Sequence, residues 1–212
     1  MGSREKHLPF FAVLDAAKLP GCMLCRLVRE ATRRHLEHLL YENVNDPGVR
    51  AQWRKARGFC HRHAWMLADS QDALGVAVLY LDLVESCGGA ILTERAGRPC
   101  GICEVEARVL QGHLETIEQY HDDAELRAAI DASEGLCGPH FRVVSQRLCQ
   151  PDMKQAFARA SETTVQRLGG ELRRLIESFD YRRSPPDDEQ TRLAWRRAVE
   201  MVVGHRDVPE AT

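Results

Sequence analysis

Cys22-Met23-Leu24-Cys25 is followed, after 34 intervening residues, by Cys60-His61-Arg62-His63, and Cys100-Gly101-Ile102-Cys103 is followed, after 33, by Cys137-Gly138-Pro139-His140. Each half of the chain therefore offers three thiols and one imidazole. A close cysteine pair on a turn, joined by a distant Cys-x-x-His, is how four-coordinate sites for soft metals are usually written. The spacing assigns Cys22, Cys25, Cys60 and His63 to one ion, and Cys100, Cys103, Cys137 and His140 to a second.

The flanks repeat as well. Pro20 and Pro99 precede the near pairs, and Gly58-Phe59 and Gly135-Leu136 precede the far cysteines. A shift of 78 residues superposes Cys22 and Cys25 on Cys100 and Cys103, and carries His35-Leu36-Glu37 onto His113-Leu114-Glu115. That second match lies outside the ligand spacing and points to duplication of a whole unit. The far doublets are offset by 77, one residue fewer, which a loop absorbs.

Hydrophobic periodicity makes the unit helical. A first helix is expected over about 9–18, broken by Leu19-Pro20-Gly21. From Cys25 to about Asn43, Leu24, Val28, Ala31, His35 and Leu39 form an apolar stripe. Asp46-Pro47 reads as N-cap and first helical residue, and Gly58 as a left-handed stop. Cys60 should open the next helix with His63 in its first turn, where exposed amides favour a thiolate, and Ala64 to Leu67 should pack beneath the site. A helix over 73–87 follows, with Asp69 or Ser70 as its cap. The second unit repeats the plan, with a short helix from Asp122-Asp123 and another from Cys137. Beyond it, Pro151 opens a long helix to about Phe179 with a weak point at Gly169-Gly170, and Ser184-Pro185-Pro186-Asp187 caps a last helix. The expected fold is all-α: a duplicated helical unit, each half with a Cys3His site, plus a C-terminal pair of helices. The expected divisions are 1–96, 97–150 and 151–212.

Composition sets the outer limits. With 212 residues, 44% hydrophobic and 28% charged, and a formal net charge of -2, the chain can bury a core and shows no charge excess that would select a partner. The start lacks the apolar segment of a secretory signal and no apolar run reaches membrane-spanning length, so the cytosol is the expected compartment. There, cysteines so spaced are metal ligands or redox thiols before they are disulfides. Arginines are not interleaved with aromatics in a way that suits nucleic acid. The partner class left open is another protein, and oligomeric state is not encoded.

Zinc is the expected metal, two ions, because tetrahedral Cys3His is a common closed structural coordination. The rival readings are two 4Fe-4S clusters for electron transfer or sensing, and a thiol-based redox sensor. The balance is against an enzyme, since no catalytic residue can be named. Cys87 and Cys149 fall outside the repeat, and the repeat counterpart of His61 is Gly138, so none of the three is assigned a ligand role. His35 and His113 read as matched core histidines, with a second central site as the sharper alternative. Glu118-Gln119-Tyr120-His121 looks like half of a di-iron motif, but Leu40 and Asn43 occupy the matching positions of the other half.

The combination of His7-Leu8-Pro9-Phe10, the two Cys-x-x-Cys pairs, Gly58-Phe59-Cys60-x-x-His63-Ala64-Trp65 and Gly135-Leu136-Cys137-x-x-His140 resembles a bacterial family known only as a domain of unknown function. The resemblance spans most of the chain and implies no activity. What the residues support is a metal-binding helical scaffold or interaction protein.

Overall fold

A computed structural model describes residues 5–93, 99–180 and 188–208. Among these residues every regular element is helical and none is a strand. In chain order the helices are α1 (Leu8–Ala17), α2 (Met23–His38), α3 (Pro47–Ala56), α4 (His61–Ala68), α5 (Ala73–Cys87), α6 (Ala90–Thr93), α7 (Gly101–Gln119), α8 (Ala124–Ala132), α9 (Gly138–Arg147), α10 (Pro151–Glu177), α11 (Glu189–Arg192) and α12 (Ala194–Val203). A π-turn, Leu39–Asn43, continues α2.

The chain forms two compact units, Met1–Leu27 with Leu110–Thr212, and Val28–Val109. These do not follow the expected divisions at 96/97 and 150/151; both changes of unit fall inside helices, α2 and α7. A continuous helix has no composition break to betray such a boundary. The expected 96/97 division, like the expected boundary at Ser184 to Asp187, lies outside the described residues.

In the first unit, α1 buries Phe10, Val13, Leu14 and Ala17 among Leu24, Leu114, Ile117, Tyr120, Leu126, Ile130, Leu136 and Phe157. Their spacing along α1 puts four apolar side chains on one face, and each large one taken from water contributes about 1.5–3 kcal/mol. The Phe10 and Tyr120 rings meet at 4.9 Å, and Tyr120 donates to the Glu5 carbonyl at 2.6 Å. Helix α10 packs on α8, α9, α11 and α12, and runs unbroken through Gly169-Gly170. Asp123 caps α8 by accepting from the Glu125 and Leu126 amides.

In the second unit, Trp53 on α3 is the centre. Its indole N–H donates to the Leu79 carbonyl at 3.0 Å, and its ring meets Phe59 and Tyr80 edge-on. Arg50 and Arg54 both grip Asp82, tying α3 to α5. The cap of α5 is Asp72, which accepts from the Gly75 amide, in place of the expected Asp69 or Ser70. The buried line of α2 runs through Val28, Thr32 and Leu36 to Leu39 in the π-turn; His35, on the expected stripe, is exposed, one position off that line. The stop after α3 begins one residue early, with Arg57 already left-handed before Gly58.

Candidate metal centres

Cys60 and Cys137 take matching positions as N-caps of α4 and α9, each extended in backbone, which puts His63 and His140 in the following first turns. A positive-φ glycine turns the chain just before each cysteine, Gly58 (φ 81°) and Gly135 (φ 74°). At Gly135 a side chain is barred twice, because a Cβ there would lie 2.5 Å from the Ser161 amide nitrogen. The near pairs lie at the starts of α2 and α7, so all eight sulfurs and ring nitrogens belong to helix beginnings.

The doublets converge, but across the repeat. Cys22, Cys25, Cys137 and His140 form one group, and Cys60, His63, Cys100 and Cys103 the other, with ligand atoms within 4.8 Å of one another in each. The expected sets, Cys22, Cys25, Cys60 and His63, and Cys100, Cys103, Cys137 and His140, are therefore corrected: each near pair meets the far pair of the other repeat. The changes of unit fall inside α2 and α7, between each near pair and the far pair of its own repeat, so the two doublets of one repeat belong to different units. Each group lies wholly within one compact unit.

In the first unit, Nδ1 of His140 stands 3.5 Å from Cys22 Sγ, 3.3 Å from Cys25 Sγ and 3.3 Å from Cys137 Sγ, and the Cys25 and Cys137 sulfurs are 3.6 Å apart. In the second, Nδ1 of His63 stands 3.3, 3.4 and 3.5 Å from the sulfurs of Cys60, Cys100 and Cys103, and the Cys60 and Cys103 sulfurs are 3.7 Å apart. A tetrahedron with metal–sulfur bonds of about 2.3 Å and metal–nitrogen bonds of about 2.0–2.1 Å has edges of about 3.8 Å and 3.5 Å. Both donor sets fit one soft four-coordinate ion. All eight cysteines are free, and the sulfur separations are far beyond a disulfide bond of about 2.05 Å.

Proton energetics also call for a cation. Burial would raise the Cys100 thiol, but bonds from His63 and from backbone amides outweigh it and bring it down to about 6. Burial and the neighbouring Cys100 and Cys60 sulfurs push Cys103 up to about 12. Burial would lower His63, yet Cys100 and Glu106 hold it up at about 9. In the first unit His140 is raised against its burial to about 10 by Cys137 and Cys22, Cys22 is pulled well down, and Cys25 is driven up. Three sulfurs crowded together cannot all ionise against one imidazolium; a divalent ion lets them.

The surroundings of the two sites differ. Behind His63 stands Glu106, 3% exposed, whose Oε1 is 3.0 Å from His63 Nε2. The N–H points off that oxygen, so the contact is an ion-pair approach and not a well-aligned hydrogen bond. Arg62 and the Thr32 hydroxyl donate to the same carboxylate. No sequence reading singled out Glu106; its place two turns after Cys100 on the ligand-bearing helix was the available signal. The repeat position is Val28. In the first unit, Glu134 accepts from the Gly21 amide at 2.7 Å and pairs with Arg167 and Arg197, fixing the turn ahead of Cys22. The end of α12 covers that site: a Cβ on Gly204 would lie 3.7 Å from Cys137 Sγ and 3.9 Å from Cys25 Sγ.

Other sequence readings resolve plainly. Cys87 is half-buried against the second core and Cys149 is exposed, both away from the two groups. Trp65, expected beneath the site, is 61% exposed and meets the His61 ring. His35 is exposed; His113 is half-buried, and its Nδ1 has no hydrogen-bond partner among the described residues. Neither is the fully buried core histidine expected. Glu118 accepts from the Cys149 amide.

Among the described residues, no helix is long and apolar enough to cross a membrane. No solved structure matches the chain. It is 26% identical over 202 residues to the "Uncharacterized 23.9 kDa protein in xynA 3'region" of Caldicellulosiruptor sp. (strain Rt8B.4), an alignment covering 91% of this chain and 99% of that protein. The pattern of the "Family of unknown function (DUF6062)" matches twice, over residues 6–95 and 89–209. The chain belongs to that family.

Proposed function

We propose that the protein binds two zinc ions at closed structural centres and serves as a helical scaffold or interaction module. The observation that carries this reading is the spacing of the donors, whose sulfur–nitrogen and sulfur–sulfur edges suit a single tetrahedral ion. A four-iron cluster sets its ligands outside the corners of a cube, so their atoms stand apart by more than the width of the cluster. Donor atoms gathered within 4.8 Å leave room for one ion. Four protein ligands per ion leave no open position for substrate, which weighs against metal catalysis at these sites. A reducing compartment, the cytosol, suits such thiolate sets. Each ion would tie a helix start to a distant helix start, and structural zinc supplies on the order of 10 kcal/mol in small domains.

Elemental analysis of anaerobically purified protein, with an absorption spectrum, tests the reading. Two zinc ions per chain and a colourless solution are expected. Brown protein with matching iron and sulfide, or metal-free protein, overturns it.

A further inference from the structure

Helix α12 is held in the first unit by its charged side. Arg197 donates to the buried Glu171 at 2.5 Å and to Glu134 at 3.4 Å, Ala194 is buried, and the helix ends at Gly204 beside the Cys25 and Cys137 sulfurs. Its apolar side is left out. Trp195, Val199, Val202 and Val203 are 52%, 56%, 67% and 49% exposed. At about 3.6 residues per turn these four fall within an arc of about 100°, one continuous stripe along the helix. An amphipathic surface helix ordinarily turns such a stripe to the core. Apolar residues scattered singly on a surface need no explanation, but a contiguous stripe marks a contact face.

The edges of the stripe say what fits it. Arg196 and Glu200, both exposed, border it on one side, and Ala194 and Ala198 on the other. The Arg196 guanidinium lies 5.1 Å from the Trp195 ring centre, at that border. In an antiparallel pair of α12 helices with a two-fold axis beside Ala198, each edge meets its own copy, and residues equally far before and after Ala198 stand level. Arg196 of one copy then faces Glu200 of the other, Glu200 faces Arg196, and each Trp195 enters the space between Val199 and Val202 of the other copy. A parallel pair would set the charged edge against the alanine edge. One arginine balanced by one glutamate also lacks the cationic border that brings amphipathic helices to anionic lipid.

We propose that α12 is the contact face for a second copy of this chain, in an antiparallel two-fold pair sealed by Trp195, Val199 and Val202 and held in register by the Arg196 and Glu200 pairs. The ten residues of α12 span about 15 Å, so the interface is small and the dimer dissociates at micromolar concentrations. This pairing goes beyond the scaffold reading above and does not depend on which metal the sites hold.

The test is sedimentation of the full-length, metal-loaded protein over a micromolar concentration series, where a reversible dimer is expected. Val199→Glu places two carboxylates in the seam and should weaken the dimer about a hundredfold or more, with circular dichroism and metal content unchanged. Arg196→Glu and Glu200→Arg should each weaken it about tenfold, since two attractive pairs become two repulsive ones. Mixing these two variants should restore the affinity of the unaltered protein, because the charges match again only between unlike chains. A monomer throughout the series overturns the proposal, including one whose stripe binds vesicles of anionic phospholipid or another protein instead. So does a dimer that survives Val199→Glu, or one lost on Leu81→Glu, which would assign the contact to the exposed face of α5. Mixed variants that pair no better than either variant alone overturn the antiparallel arrangement.

Discussion

Nε2 of His63 lies 3.0 Å from Oε1 of Glu106, a carboxylate that Arg62 and Thr32 also hold. Nδ1 of the same ring faces the three sulfurs. Carboxylates behind metal-bound histidines fix the tautomer and strengthen the ligand, and losing one typically costs about 10–100-fold in affinity. Glu106→Ala should weaken the Cys60, His63, Cys100 and Cys103 site by about that factor and leave the other unchanged, since the repeat counterpart of Glu106 is Val28, which carries no carboxylate. Competition titration with a chromogenic chelator reads both sites.

The crossed pairing has a direct stoichiometric consequence. Cys22→Ser with Cys137→Ser removes two ligands from one group and should cost one metal equivalent. Cys22→Ser with Cys60→Ser strikes both groups and should cost two. Pairing within each repeat would reverse the prediction, because Cys22 and Cys60 would then share an ion. Cys60→Ser alone should lose one equivalent and loosen the second unit, whereas Cys87→Ser should change nothing in metal content.

Metal release should come in two phases. In the first unit Cys25, Cys137 and His140 are buried and α12 ends against the sulfurs, while in the second only His63 is buried and three sulfurs are partly exposed. A chelator reaches partly exposed thiolates first, so one equivalent should leave quickly and one slowly. Cys60→Ser should abolish the fast phase. A single phase in the unaltered protein would sink the distinction.

The clamp between α3 and α5 should sharpen the acid limb of stability. Burial would raise the Asp82 carboxyl, but hydrogen bonds from Arg54 and Arg50 outweigh it and hold its pKa below the ordinary carboxylate value. A folded pKa that is depressed adds stability above the unfolded value, about pH 4, and that contribution is lost as pH falls through the folded one. Asp82→Asn should therefore destabilise the protein near neutrality and flatten the loss of stability below about pH 4. Chemical denaturation over a pH series measures both effects.

Core and turn substitutions separate packing from backbone strain. Phe157 has no exposed surface, and Phe157→Ala should cost about 3–5 kcal/mol. Gly135→Ala meets the Ser161 backbone as well as a positive φ, whereas Gly21→Ala meets only the φ. The first should be the more damaging of the two, and thermal melts of the variants rank them.

Much of this protein was legible in its residues. Ligand types follow from thiol and imidazole chemistry, helix starts from caps such as Asp46 and Asp123, and α5 from its apolar run, because each depends on neighbours a few positions away. His35 was misread because the buried line of α2, through Val28, Thr32 and Leu36, sits one position aside, and what a helix face packs against comes from other elements. Trp65 and Glu106 were misread or missed because a side chain's surroundings come from other helices.

By itself, the sequence determined that eight soft donors in two matched rows lie on a duplicated helical chain. Only the tertiary structure decided which donors meet. Near and far doublets of one repeat carry no mark that forbids their union. Helices α2 and α7 each carry the chain from one compact unit into the other, so each far doublet folds in the unit that holds the other repeat's near pair.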